Sequence, residues 1–189
     1  MSLKLFKNSL QKAPIIKKGN YSYIIHPILD GVPQINPDVF NEVVSEMQKR
    51  IEKCGKLDKI VTIEAMGIPL ASVLSLKLNV PLIIIRKKPY NLPGEITVEQ
   101  KTGYSKSKLY INKLKENENI VIVDDLVSTG GTLKAALSGL KKINVKIKGV
   151  FIAVNKGKAV ENLKNEFYVD INSLIDIEVI NDKIIIKNN

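Results

Sequence analysis

The sequence predicts an α/β fold, a mostly parallel central sheet flanked by helices. Three observations predict it. Short apolar runs recur along the chain: "KIVTI" (59–63), "VPLIIIR" (80–86), "NIVIVD" (119–124) and "KIKGVFIAV" (146–154). Helix-like segments alternate with them, and continuous β-branched runs of this kind belong to strands buried on both faces. The chain has 189 residues, 44% of them hydrophobic, which suits a single domain over 1–189 with a real core.

The elements follow in order. Leu3, Leu5, Phe6 and Leu10 give a weak helical pattern. "YSYIIHPILDGVPQ" predicts a short extended stretch and a turn, with Pro27, Gly31 and Pro33 as punctuation. His26, just before Pro27, is expected to shape that turn rather than to catalyse. A helix then starts, with Asn36 as N-cap and Pro37 in the first turn. Phe40, Val43, Val44, Met47, Ile51 and Cys54 share one face of it, so Cys54 is expected to pack rather than react. Strand 59–63 leads through "EAMG" into a helix ending near Leu78. Strand 80–86 is followed by a long polar excursion, 87–113, holding Pro89, Pro93, Gly94 and Gly103. Such a length inside an α/β unit points to a functional loop, and its "KLYIN" portion is a candidate returning strand. Strand 119–124 precedes a helix from about Gly131 to Lys142, and 146–154 is the fourth run. "SLIDIEVINDKIIIK" predicts a hairpin, 174–187, turning at Asn181 and Asp182.

The formal net charge is +10, from 29 Lys and Arg against 19 Asp and Glu. The basic residues are scattered apart from short clusters such as "RKK" (86–88), so a solvated surface explains the excess better than a nucleic-acid interface. No apolar run approaches the roughly 18 residues that span a bilayer, and no signal peptide is expected. One cysteine excludes an internal disulfide, and a cytoplasmic location is expected.

The chemistry concentrates in "VDDLVSTGGT" (123–132), between a strand and a helix. Ligands of an open parallel sheet bind beyond the carboxyl ends of its strands. A helix N-terminus there presents unpaired N–H groups and partial positive charge, suited to a phosphate. Gly130 and Gly131 permit positive φ and close backbone approach; Ser128, Thr129 and Thr132 add hydroxyls beside Val127. Asp124 and Asp125 repel a phosphate, but they accept hydrogen bonds from a diol. A ribose 5-phosphate has both ends, and carboxylates beneath it would stabilise positive charge at the anomeric carbon. Neither a P-loop nor a G-x-G-x-x-G turn is present.

"IVIVDDLVSTGGT" resembles the phosphoribosyl pyrophosphate (PRPP) signature of type I phosphoribosyltransferases. "VTIEAMGIPLA" resembles their pyrophosphate loop, "LIIIRKKPYNLPGE" a stretch of the adenine-specific branch, and "TGYSKSKLYIN" their flap. Together these segments look most like the archaeal hypoxanthine/guanine enzymes. The resemblance implies the type I phosphoribosyltransferase fold, with residues 1–35 as a small base-side hood and 87–113 as a flexible flap. It implies transfer of the 5-phosphoribosyl group from PRPP to a purine base, with release of pyrophosphate. It also implies Mg²⁺ held mainly through PRPP rather than by the protein, and a homodimer without membrane or nucleic-acid partners.

The resemblance assigns roles residue by residue. Asp124 and Asp125 would be catalytic, meeting the ribose hydroxyls, with one helping to deprotonate the purine. Val127, Ser128, Thr129, Gly130, Gly131 and Thr132 would bind the 5-phosphate. Glu64, Ala65, Met66 and Gly67, with Arg86, Lys87 and Lys88, would hold pyrophosphate. Lys101, Thr102, Gly103, Tyr104, Ser105 and Lys106 would close as the flap. Adenine-specific relatives carry "ESRG" for "EAMG" and a Glu where Gly103 stands; Glu99 is the candidate substitute. On the base side, Ile28 and Leu29 would cover the purine ring, and Asn155 and Lys156 would reach its edge. Hypoxanthine and guanine present a 6-oxo acceptor where adenine presents a donor, so a 6-oxopurine site needs a donor there. An adenine enzyme and a PRPP-sensing nucleic-acid-binding regulator are the alternatives. Against the regulator, the N-terminal stretch is expected to leave no room for an added winged-helix domain.

Overall fold

The structure, a computed structural model, describes residues 3–19, 21–101 and 106–187; for Lys18, Gln100, Lys101, Lys106 and Ser107 it describes the backbone alone. Helix α1 (Lys4–Gln11) leads into an antiparallel hairpin, β1 (Ile15–Lys18) and β2 (Tyr21–Ile24), and then a single helical turn, α2 (Pro27–Asp30). The turn follows from His26, whose Nδ1 accepts from the Ile28 N–H at 3.1 Å while its Nε2 lies 3.0 Å from Ser9 Oγ. His26 therefore acts in shape, as its place before Pro27 predicts; the extended stretch is β2, and the turn is helical. Burial pushes its pKa down to about 4.

Helix α3 (Pro37–Ile51) is capped by Asn36, whose Oδ1 accepts from the Asp38 and Val39 N–H groups at 2.9 and 3.2 Å. Its stripe of Val43, Val44, Met47 and Ile51 is fully buried, with Cys54 part-buried and packed against the same core. Asn36→Ala is expected to cost about 1 kcal/mol of stability. Urea melts would register the loss.

The central sheet is six-stranded, ordered β10-β9-β8-β7-β3-β4. Its strands are β3 (Lys59–Ile63), β4 (Leu82–Ile85), β7 (Asn119–Val127), β8 (Lys146–Lys156), β9 (Ile171–Ile180) and β10 (Lys183–Lys187). All neighbours are parallel except the β9–β10 hairpin, where Asn181 and Asp182 take φ of 48° and 58° at the predicted turn. α3 and α4 (Gly67–Leu78) cover one face. α5 (Gly131–Ile143), α6 (Ala159–Phe167) and a second antiparallel hairpin, β5 (Ile96–Lys101) with β6 (Lys106–Ile111), cover the other. Both faces of the sheet are thus apolar, which is why its strands are written as continuous rather than alternating runs.

Several boundaries differ from the sequence expectation. β7 continues past Asp124 to Val127, because β8 runs on beside it and pairs Leu126 with Val154 and Val127 with Asn155. Asp125 therefore lies in the strand, next to Asp124, rather than in the loop beyond it. Asn155 and Lys156 likewise end β8 instead of following it. The excursion 87–113 contains two strands, not one. Its base is anchored: Val98, Leu109 and Ile111 are buried, and the backbones of Arg86 and Tyr110 bond each other in both directions at 3.0 and 2.8 Å.

Candidate active site

The carboxyl ends of β3, β4, β7 and β8 converge on one edge of the sheet, where the polar residues gather. The turn after β7 reaches α5 through Gly130, whose φ of 78° is left-handed. A side chain there would also press within 3.0 Å of Ala159 Cβ, so glycine serves both conformation and space. Gly131, by contrast, is not among the residues at positive φ; it is simply the first residue of α5. Gly130, the N-cap of α5, provides no side-chain cap, so the helix starts directly from the turn. An open cavity of about 160 Å³ lies there, lined by Asp124 and by Leu126 to Leu133. Val127 is buried in its wall, Ser128 and Thr132 are half-buried, and Thr129 is exposed.

Asp124 and Asp125 are both more than nine-tenths buried, at 7% and 9% exposure. The Asp125 N–H donates to Asp124 Oδ1 at 3.1 Å. Burial raises both above the usual carboxylate range. Asp125 is raised further by the charge of Asp124 and, less, of Asp30, while Lys87 pulls Asp124 down. Like charges this close do not both ionise, so the pair keeps a proton at neutral pH. It is a site able to give or take one. Its oxygens also suit a hard cation that draws remaining ligands from a phosphate. Among the described residues no cluster of three or more His, Cys, Asp or Glu forms a protein cage for a metal.

The loop after β3 lies alongside. The Glu64–Ala65 peptide is cis, and Gly67 opens α4 against the strand. A Cβ at Gly67 would stand 2.3 Å from Thr62 Oγ1 and 2.7 Å from Asp124 Oδ1. Ala65 is exposed and Met66 half-buried. Glu64 Oε2 accepts from the Lys87 N–H at 2.9 Å and lies 3.3 Å from Arg86 Nε. That ion pair is not aligned as a hydrogen bond, since Arg86 Nε has no hydrogen-bond partner among the described residues. The Arg86 guanidinium lies 5.6 Å from the Tyr90 ring centroid, and Lys87 and Lys88 are exposed. Glu64 thus engages the basic cluster directly, through the Lys87 N–H and the Arg86 side chain.

The remaining candidates divide. Thr102, Gly103, Tyr104 and Ser105 lie outside the described residues, as do the side chains of Lys101 and Lys106. Glu99 is exposed and sits opposite Lys108 on the face turned away from buried Val98. Ile28 and Leu29 are buried in the core shared with α3 and α4. Asn155 is 8% exposed with Oδ1 unpartnered among the described residues. It borders a larger hollow of about 540 Å³ between α6, β8 and β9. Size does not decide between the two spaces: the smaller one holds the buried carboxylate of Asp124 beside the glycine turn into α5, whereas the carboxylates lining the larger one, Glu161 and Asp176, are exposed and half-buried.

Sequence reasoning missed Tyr21, whose hydroxyl donates to Ser128 Oγ at 2.7 Å and whose ring lies 3.9 Å from Lys156 Nζ. It also missed Thr62, fully buried with Oγ1 unpartnered among the described residues. The aromatic pair in "YSY" is the only signal for the first; nothing local marks the second.

The chain is similar to known proteins in both sequence and fold. The phosphoribosyl transferase domain family matches residues 34–183. A hypoxanthine/guanine phosphoribosyltransferase of Methanosarcina barkeri is 48% identical over 186 residues, 98% of this chain and 97% of the relative. One of Aciduliprofundum boonei is 45% identical over 182 residues, 96% of this chain and 98% of the relative. Among solved structures, adenine phosphoribosyltransferase from Thermoanaerobacter pseudethanolicus superposes with a TM-score of 0.75 at 26% identity, covering 92% of this chain and 99% of that one. The enzyme of Leishmania tarentolae, at 14% identity and a TM-score of 0.77 over 93% of this chain and 88% of that one, shares the fold.

Proposed function

The chain belongs to the phosphoribosyl transferase domain family, with the type I fold, and from that membership we propose that it salvages purines by moving the 5-phosphoribosyl group of PRPP onto hypoxanthine or guanine. The products are IMP or GMP and pyrophosphate. The single observation that carries the reading is the cavity in which Asp124 faces the uncapped start of α5.

Each part of the substrate then has a partner. The N–H groups at Gly131 and Thr132 and the hydroxyls of Ser128, Thr129 and Thr132 hold the 5-phosphate, with Val127 and Gly130 shaping the turn. Asp124 and Asp125 accept from the ribose 2- and 3-hydroxyls and face positive charge developing at the anomeric carbon. As the purine nitrogen bonds to that carbon and the bond to pyrophosphate breaks, the base loses a ring proton, and the buried pair is suited to take it. The backbone from Ala65 to Gly67 and the cations of Arg86, Lys87 and Lys88 receive the pyrophosphate, with Glu64 orienting Arg86. Mg²⁺ bound with PRPP would supply positive charge to the leaving group. Asn155 and Lys156 stand at the base end, where the Lys156 ammonium supplies the donor that a 6-oxo group requires. Ile28 and Leu29 back that end from the core. The same reading makes residues 1–189 one domain, with 1–35 as hood, 87–113 as flap and 174–187 as a terminal hairpin, working as a cytoplasmic homodimer.

The test is a competition assay with PRPP, Mg²⁺ and equimolar hypoxanthine, guanine, adenine and xanthine, with nucleotides resolved by mass. IMP and GMP should dominate. Predominant AMP would replace this reading with the adenine enzyme. No nucleotide from any base, together with a salt-dependent DNA mobility shift, would replace it with a regulator.

A further inference from the structure

We propose that Tyr21 is a positioning residue that ties the two ends of the nucleotide site together, orienting Ser128 toward the 5-phosphate and fixing the Lys156 ammonium at the base end. The proposal rests on the function given above for its ligands. Tyr21 stands on β2, in a hairpin remote in sequence from both partners, and is half-buried between them.

At the phosphate end, the Tyr21 hydroxyl donates to Ser128 Oγ at 2.7 Å. A serine hydroxyl carries one proton and two acceptor positions. When Tyr21 fills an acceptor position, the serine proton stays available for the turn, where a phosphate needs donors. A donated bond also polarises the serine hydroxyl and strengthens the bond it makes next.

At the base end, Lys156 Nζ lies 3.9 Å from the Tyr21 ring centroid and donates to the Ser22 carbonyl oxygen. The ring and the carbonyl come from consecutive residues of one strand, so β2 sets where the ammonium sits. Tyr23, 4.5 Å away centroid to centroid in an edge-on arrangement, braces the Tyr21 ring. A lysine held this way loses the freedom of its long stem, and its two other N–H groups are left for an acceptor.

The two contacts use different parts of Tyr21, so two substitutions separate them. Tyr21→Phe removes the hydroxyl and keeps the ring; Tyr21→Leu removes both. Calorimetric binding of ribose 5-phosphate reports the phosphate end, and binding of IMP reports both ends. Tyr21→Phe is expected to weaken both ligands by the same factor, about 3- to 10-fold, as for one lost hydrogen bond. Tyr21→Leu is expected to weaken IMP by a further factor of about 3 to 30, with ribose 5-phosphate no worse than in Tyr21→Phe. Unchanged ribose 5-phosphate binding in Tyr21→Phe overturns the Ser128 arm. Equal losses for both ligands in Tyr21→Leu overturn the Lys156 arm. A wild-type protein that binds both ligands yet makes no nucleotide refutes the transferase reading while the binding pattern still decides this one. A wild-type protein that binds neither refutes both.

Discussion

Asp125→Asn is expected to lower kcat at least about 100-fold while leaving the fold intact and raising its stability. The two effects have one cause. Asp124 and Asp125 are buried side by side, with Asp30 adding a third negative charge toward Asp125. Folding the empty protein must either bury like charges or retain a proton against solvent, and both oppose folding. An amide at 125 removes the ionisable group and with it the penalty, but it neither accepts a proton nor supplies field at the anomeric carbon. The pH dependence gives the sign a check. For a carboxyl whose folded pKa is raised, the penalty is absent below the usual value of about 4, grows as pH rises through the window up to the raised value, and is complete above it. The stability advantage of Asp125→Asn should therefore be larger at pH 8 than at pH 5. His26 works in the opposite sense, costing stability as pH falls below its ordinary range, but it is present in both proteins and cancels in the difference. Thermal melts of the two proteins at both pH values give the comparison. A gap that narrows toward pH 8, or a variant that loses stability and activity together, would remove Asp125 from the catalytic role.

Gly67→Ala carries the second large effect. The new Cβ would sit 2.3 Å from Thr62 Oγ1, 2.7 Å from Asp124 Oδ1 and 3.1 Å from the Val123 carbonyl oxygen. Thr62 and Asp124 belong to the central strands β3 and β7, which are packed on both faces and have little room to yield. The cost is expected to be about 2–3 kcal/mol, visible as a lower urea midpoint. Activity should fall more than stability requires, because Asp124 is one of the displaced groups. Adding Thr62→Ala removes the tightest contact and should restore part of the stability, but not the activity, since the Asp124 contact remains. Recovery of both together would show that Gly67 serves packing alone.

Both predictions depend on where local signals stopped. The apolar runs located β3, β4, β7 and β8, the Asn36-Pro37 pair located the start of α3, and the Asn181-Asp182 turn located the terminal hairpin. Each is decided by neighbours within a few residues. The end of β7 was not, because its last three residues are held in the ladder by β8, which follows a whole helix later. Gly130 and Gly131 read alike in sequence, and only the chain path gave one a left-handed φ and made the other the start of a helix.

The sequence by itself determined the alternation of strands and helices, the glycine turn before α5 and the acidic pair, because periodicity, turn residues and adjacent charges act locally. Only the tertiary structure decided that Gly67 must lack a side chain, that Glu64 turns toward Arg86, and that Tyr21 reaches both Ser128 and Lys156. Those contacts join residues far apart along the chain. They arise from how strands are ordered in the sheet and where the N-terminal hairpin docks, which no short window of residues encodes.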